Sequence, residues 1–423
     1  MRIFIGITEI AGYYGNLQRG FRELGIACDF VNLYESVFYH QPDEKSSLPR
    51  QLIRWVAAKN AATAGAPLVR RIFWKAVHTL IALGVFLWAL PRYDVFIFSY
   101  GITFLFLYDL PILKFFKKKL LFVFNGSDTR PAYIGYPANS ASGYSVEDCI
   151  RHARRQKRMV RTVERYADAI ICHTLSAQFL EKPFVQFLCL GIPFQPPVSL
   201  PVCQHSFGTG VRVLHSPSNP RLKGTPRIRQ AIASVQGRGY AVDYVEISGK
   251  PNTVVLQELA CCDFVVDELY SDTPMAGLAT EAAFFGKPTV TAGYARDAVQ
   301  RLFPAEMIPP SLYCHPSEIE SAIEMLAADR DYCRALGEQA RKFVTENWNP
   351  RRVAEKYWQI IGGDIPSAWL FDPKEIEYFL GAAAPEEDIR DMVRKIIEKA
   401  GVQALHLTDK PALERHLCQF ALG

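Results

Sequence analysis

At 423 residues the chain is too long for one hydrophobic core and suits two domains with an extension. With 49% hydrophobic and 22% charged residues it reads as globular rather than disordered, and a net charge of +5 is too mild to argue for nucleic acid. The ten cysteines are scattered without CxxC pairs or Cys/His clusters of metal spacing, so reduced, mostly buried thiols in a cytoplasmic compartment are expected, and no metal site.

The chain opens with MRIFIGITEI, an apolar strand-like run without the basic, apolar, small-residue order of a signal peptide. Strands are predicted at Arg2–Thr8, Cys28–Leu33, Asp94–Ser99, Leu120–Asn125, Ala169–His173 and Phe184–Leu190. Several are apolar almost throughout, as strands covered by helices on both faces require. After the first strand, ITEIAGYYGNL leads into a helix expected to begin near Asn16 and to close on Gly25. Gly12 and Gly15 let this loop pass close to a ligand, with Tyr13 and Tyr14 between them.

Between Glu44 and Asp94 there is no acidic residue, while Lys45, Arg50, Arg54, Lys59, Arg70, Arg71, Lys75 and Arg92 are basic. The segment holds the apolar run Ala76–Leu90, broken by His78 and preceded by Trp74. Fifteen residues fall short of the roughly 20 that a spanning helix needs. Cationic flanks and interfacial tryptophan fit a helix lying on an anionic cytoplasmic leaflet. Arg151, Arg154, Arg158, Arg161 and Arg165 recur at helical spacing as one stripe, and KFFKKK (Lys114–Lys119) adds a third basic cluster. A buried helix and a solvated arginine face are the alternative reading.

FNGSDTRP follows the strand ending at Asn125, and His173 ends the strand ADAIICH on the rim at the carboxyl ends of these strands. The Pro- and Gly-rich stretch 191–210 then reads as a linker between a first domain, 1–190, and a second, 211–362. In the second, VRVLHSPSN, a helix over Thr225–Val235, VDYVEIS, a helix over Thr253–Ala260, DFVVDEL, a helix from Leu278 and PTVTA repeat the alternation of a parallel sheet. Residues 363–423 are helical and charged, without a further βαβ unit. Two doubly wound halves place a ligand in the cleft at the carboxyl ends of their strands.

Within PRLKGT, Lys223 and Gly224 stand between a strand ending at Asn219 and a helix N-terminus, a place to hold a diphosphate. In DELYSDTPMAGLATEAAFFGKPTVTAG, Gly277 and Leu278 allow backbone to approach a phosphate. Glu281, one turn into the helix, can accept two hydrogen bonds from a ribose diol.

Together these two stretches resemble the retaining, family-4-like glycosyltransferases of GT-B architecture, two Rossmann-like α/β domains facing across a cleft. The resemblance is close from Val211 to about Trp358 and looser before it. It implies that Lys223 binds the donor diphosphate, that Glu281 is the second glutamate of an E-x7-E element and holds the ribose, and that Gly277 and Leu278 bind phosphate through their amides. The first glutamate is replaced by Thr273, beside Asp272, and the arginine that usually precedes the loop lysine is missing; Arg221 lies at another offset. The Gly12 loop resembles the family's glycine-rich loop, which implies that Tyr13 and Tyr14 stack on a sugar ring. FNGSDTRP resembles the G-S-D-x-R element of related bacterial polysaccharide enzymes, which implies that Asp128 and Arg130 face the cleft on the same rim as His173.

The resemblance implies transfer of a hexose-type sugar from a UDP- or GDP-type nucleotide sugar to an acceptor hydroxyl with retained configuration. No DxD ends a strand, so no metal is expected, and no general base is apparent. The basic apolar segment points to a glycan or lipid-linked acceptor at the cytoplasmic face of a membrane. A catalytically silent GT-B protein that binds nucleotide sugar or scaffolds at the membrane, and an epimerase or hydrolase, are the competing readings.

Overall fold

The computed structural model describes residues 1–34, 67–139, 145–196, 210–381 and 383–423, with single positions between 55 and 65. Lys45, Arg50 and Arg54, and most of the 191–210 linker, lie outside the described residues. In the first half, β1 (Ile3–Ile7), β2 (Cys28–Asn32), β3 (Val95–Ser99), β4 (Lys119–Phe124), β5 (Ala169–Cys172) and β6 (Phe184–Gln186) form a parallel sheet in the order β6-β5-β4-β3-β1-β2. Alternate residues feed two cores: Phe4, Phe96, Phe98, Phe122 and Phe124 on one face, Ile3, Ile5, Val95, Ile97 and Val123 on the other. Helices α1 (Tyr13–Glu23), α2 (Leu68–Ala89), α3 (Leu110–Phe115), α4 (Ala132–Asn139) and α5 (Val146–Tyr166) connect the strands.

Three elements differ from the sequence expectation. Helix α1 begins at Tyr13 rather than near Asn16, because Gly12 at φ 77° turns the chain directly into it. The run Phe184–Leu190 is a strand only to Gln186; Phe187–Leu190 coils into the short helix α6, as a fully apolar run specifies burial without specifying period. Helix α2 runs for 22 residues, longer than the fifteen-residue apolar run, and is long and apolar enough to cross a membrane. One of its faces is nevertheless fixed in the first core through His78, Ala82, Phe86 and Ala89, with His78 Nε2 3.2 Å from the Leu33 carbonyl.

In the second half, β7 (Val211–His215), β8 (Val242–Glu246), β9 (Phe264–Val266), β10 (Thr289–Ala292) and β11 (Leu312–Cys314) form a parallel sheet in the order β11-β10-β9-β7-β8. It is covered by α7 (Thr225–Gly237), α8 (Asn252–Cys261), α9 (Gly277–Phe284), α10 (Arg296–Leu302), α11 (Ile319–Ala328) and α12 (Arg330–Asn347). Helix α13 (Pro350–Gly362) then returns to the first domain, burying Val353, Ala354, Tyr357 and Ile360 beside Leu17 and Phe21 of α1. Gly20 permits this crossing, since a Cβ there would lie 1.9 Å from the Pro350 carbonyl oxygen.

The extension also folds onto the first domain. Strand β12 (Leu370–Phe371) pairs antiparallel with β6, and α14 (Glu386–Ala400) and α15 (Pro411–Leu422) bury Ile389, Val393, Ile396, Leu413 and Leu417 in its core. Lys157 of α5, itself buried, pairs with Asp409 of the extension at 2.9 Å. Two Rossmann-type domains facing across a cleft are the GT-B architecture.

Candidate functional site

Loops leaving the carboxyl ends of both sheets enclose two adjoining chambers. The first, of about 320 Å³, is built mainly by the second domain: Ser216 and Ser218 after β7, Gly249 and Lys250 after β8, Asn252 and Val255 of α8, Asp267 after β9, and the first turns of α9. Ala11 closes it from the first domain. Gly277, Leu278, Glu281 and Lys223, four of the expected donor residues, all line it. The N-cap residue of α9, Ala276, offers no side-chain cap, so the leading amides keep their capacity to bind an anion. Glu281 is 4% exposed, and Asn252 Nδ2 donates to both of its carboxylate oxygens at 3.0 and 3.1 Å, which fixes the carboxylate at the chamber wall.

Lys223 projects from a tight turn. Asn219 Oδ1 accepts from the amides of Arg221 and Leu222 at 3.1 and 3.3 Å, and Gly224, at φ +70°, passes so near Leu269 that a Cβ would fall 2.6 Å from that residue's Cβ. Asn219 and Gly224 therefore shape the loop and line neither chamber, and Arg221 is exposed away from both. Lys223 Nζ lies 2.6 Å from Glu268 Oε2 and 3.4 Å from Asp267 Oδ1. Burial acts to lower the lysine's pKa, but the two carboxylates override it and hold the ammonium charged. Burial raises Asp267; for Glu268 the same burial is outweighed by Lys223, which keeps that carboxylate ionised.

Beneath the loop, His215 is fully buried with Nδ1 2.8 Å from the Val266 carbonyl and Nε2 2.8 Å from Thr225 Oγ1. It ties β7 to β9 and to the start of α7. Burial pushes its pKa down to about 4, so it serves as a neutral strut.

The second chamber, of about 300 Å³, lies between the domains and shares Ala11 and Gly277 with the first. Its polar wall carries Asn125, Arg130, His173, Glu268, Asp272 and Thr273. Arg130 and His173 thus meet at one rim as expected, and Thr273 faces this chamber rather than the donor one. Arg130 pairs with Asp272 across the domain boundary, their side chains about nine-tenths buried, while its buried Nε has no partner among the described residues. Burial lowers its pKa to about 10. His173 stacks on Phe187 at 4.4 Å between ring centroids; burial, aided by Arg130, pushes it down to about 4 and leaves it neutral.

The other first-domain candidates are placed differently. Asp128 is 3% exposed and lies behind the wall rather than in it, and burial raises its carboxyl to about 8 against the opposing pull of Arg130 and the Asn125 backbone. Tyr13 and Tyr14 are buried, Tyr13 touching the chamber's edge with its hydroxyl 2.9 Å from that of Tyr357, so the expected stacking on a sugar ring gives way to packing. Gly12 shapes the turn and lines neither chamber. The neighbouring Ala11, which touches both, holds a left-handed φ of 51°, a strained setting for a residue with a side chain.

Sequence reasoning passed over Glu9, Asn252, Asp267 and Glu268. Glu9 accepts from the amides of Ile10, Tyr14 and Gly15 at 2.9 to 3.0 Å and so occupies the N-terminus of α1 itself. Burial pushes its carboxyl up to about 7 against those three donors. A glutamate shortly before a helix start is a readable capping signal. The acids of DEL have none, since only the fold brings them to Lys223.

No family model and no curated protein sequence matches the chain. Among solved structures, HepE of Anabaena in complex with UDP-glucose is similar over 85% of this chain and 99% of its own, at 14% identity and a TM-score of 0.50. The catalytic domain of starch synthase IV from Arabidopsis thaliana, bound to ADP and acarbose, covers 86% and 98% at 10% identity and a TM-score of 0.49.

Proposed function

We propose that the chain is a glycosyltransferase that moves a sugar from a nucleotide sugar to an acceptor hydroxyl. The observation that carries this reading is the convergence of Lys223, Glu281 and the uncapped start of α9 on one chamber that opens beside a second, polar one. In this reading the ribose is held by Glu281, and the diphosphate by the α9 amides and Lys223. Binding requires Lys223 to exchange part of its pairing with Glu268 for phosphate oxygens. The sugar and the acceptor then share the second chamber with Arg130, His173 and Thr273. Charge on the departing diphosphate is met by fixed donors, which makes a metal dispensable, and the resemblance to family-4-like enzymes argues for retention. The UDP-glucose held by HepE makes that donor the first to try.

The same proposal sets the enzyme on the cytoplasmic face of an anionic membrane, with a lipid-linked or polysaccharide acceptor. Support comes from the outer face of α2, where Leu68, Val69, Ile72, Phe73, Leu80 and Leu87 are exposed beside Arg70, Arg71 and Lys75. The loop after β3 adds Phe106 and Tyr108, and α3 adds Phe115. Lys75 lies 6.0 Å from the Phe106 ring, which joins α2 to that loop.

A nucleotide-binding but silent protein is the second reading, favoured by Thr273 at the position of the family's first glutamate. Thermal-shift titration with UDP, UDP-glucose and GDP, followed by transfer assays, separates the two. Ligand at about 100 times its Kd stabilises the fold by roughly 2.7 kcal/mol. The expected result is a shift with one nucleotide family that Lys223→Ala and Glu281→Ala abolish. A shift without transfer would support the silent protein, and no shift with any nucleotide would overturn both readings.

A further inference from the structure

The C-terminal extension reaches the second chamber in a way its own packing does not require. Between the helical turn at Pro373–Glu375 and α14, the chain runs from the first domain to the loop after β9. Gln178 Nε2 of the first domain donates to the Tyr378 carbonyl at 2.9 Å, while the Ala383 amide donates to the Tyr270 carbonyl of the second domain at 3.2 Å. Ala383 itself lines the chamber. Between these two ties, the Tyr378 hydroxyl donates to Asp272 Oδ1 at 3.2 Å, and the other oxygen of Asp272 holds the Arg130 guanidinium.

The crossing is close enough to dictate sequence. Gly381 has φ +91°, and a Cβ there would sit 1.9 Å from Asp272 Oδ1 and 2.6 Å from the Tyr378 hydroxyl oxygen. A hydroxyl from the extension therefore fixes a carboxylate of the second domain, which in turn fixes a cation of the first. Each link removes rotamer freedom from the next, and long side chains such as arginine have the most to lose.

We propose that Tyr378 is a positioning residue of the acceptor site, acting through Asp272 to hold the Arg130 guanidinium against the chamber, where it meets an oxygen of the acceptor. The extension is then part of the acceptor site and not only a brace on the first domain. This assignment rests on the reading of the second chamber as the place where the acceptor binds.

The test has one readout that needs no activity. Arginine-selective dicarbonyl labelling of the full chain, with Arg130 followed by peptide mass, reports how firmly the guanidinium is held. Tyr378→Phe removes a single hydrogen bond to a charged group and is expected to speed labelling of Arg130 by about tenfold. In an Asp272→Asn background the same change is expected to add nothing, because the link it acts through is already lost. Unchanged labelling, or effects that add in the double variant, overturns the relay. In transfer assays Tyr378→Phe is expected to raise the acceptor KM about tenfold and leave nucleotide affinity unaltered. Faster labelling with an unchanged acceptor KM overturns the acceptor role and leaves the relay as a structural tie. Faster labelling in a protein that binds nucleotide but transfers to no acceptor instead removes the reading of the chamber on which the role rests.

Discussion

Asp128 is a carboxyl group the fold holds at a cost. It is buried, and Arg130, the cation that acts on it, has its charge committed to Asp272. Its pKa is raised to about 8, so the folded state keeps the proton while the unfolded chain releases it near the ordinary carboxylate value. Between those two values the unfolded state binds fewer protons, and stability falls as pH rises. Asp128→Asn cannot ionise and escapes that loss. Its stability relative to the parent, measured by urea denaturation, is expected to improve steadily from about pH 4 to about pH 8 and to level off above. A difference that does not change with pH would mean the carboxyl is ionised in the fold. Legibility at this scale varied by residue. Lys223 and Glu281 were readable because each stands at a helix start beside glycine or small residues. Glu268 was not, because an acid at a strand end looks like any surface acid until the turn at Asn219–Gly224 brings Lys223 against it.

At the scale of elements, the parallel strands were legible because burial on both faces leaves an unbroken apolar run, as in Val95–Ser99. The same property hid the end of β6, since an apolar run that packs on Trp348 through Gly191 can coil as easily as extend. The basic cluster Lys114–Lys119 was legible as charge but not as role: Lys114 pairs with Asp168, and Lys118 and Lys119 donate to the carbonyls of Tyr93 and Ile361. The return of α13 to α1 left no local mark except Gly20. A glycine inside a helix costs roughly 1 kcal/mol against alanine, so substitution by alanine would stabilise α1 if only its own propensity counted. Here the added methyl meets the Pro350 backbone, which cannot rotate away. Gly20→Ala is expected to destabilise the chain by about 1–3 kcal/mol in chemical denaturation. A gain in stability would show that α13 does not pack where it is described.

For the whole molecule, two domains, an extension and an apolar helix come together around one cleft. The carboxyl ends of both sheets face the chambers, and the loop after β3, at that same edge, carries Phe106 and Tyr108 outward; Tyr108 is 82% exposed. That loop is built rather than left over. Asp109 is buried and accepts from the Thr103 hydroxyl and the amides of Phe104 and Leu105, and both Phe106 and Leu107 hold left-handed φ. Strain of this kind persists where surrounding structure enforces it. A bilayer gives such a surface a partner. In the proposed docking, apolar side chains of α2 and the loop would enter the interface, and each nearby Lys or Arg would add about 1 kcal/mol on an anionic leaflet. Binding is therefore expected to vesicles containing phosphatidylserine or phosphatidylglycerol, to weaken on neutral vesicles, and to fall at about 1 M salt, where the screening length shrinks to about 3 Å. Leu80→Ser with Leu87→Ser on α2, and separately Phe106→Ser with Tyr108→Ser on the loop, are expected to reduce sedimentation with vesicles while leaving nucleotide-induced thermal shifts intact. Exposed positions carry little stability, so each pair tests the surface and not the fold. Loss from the α2 pair alone would confine docking to the helix. Undiminished binding in both pairs would remove the membrane from the proposal and leave a soluble acceptor to reach the cleft by diffusion.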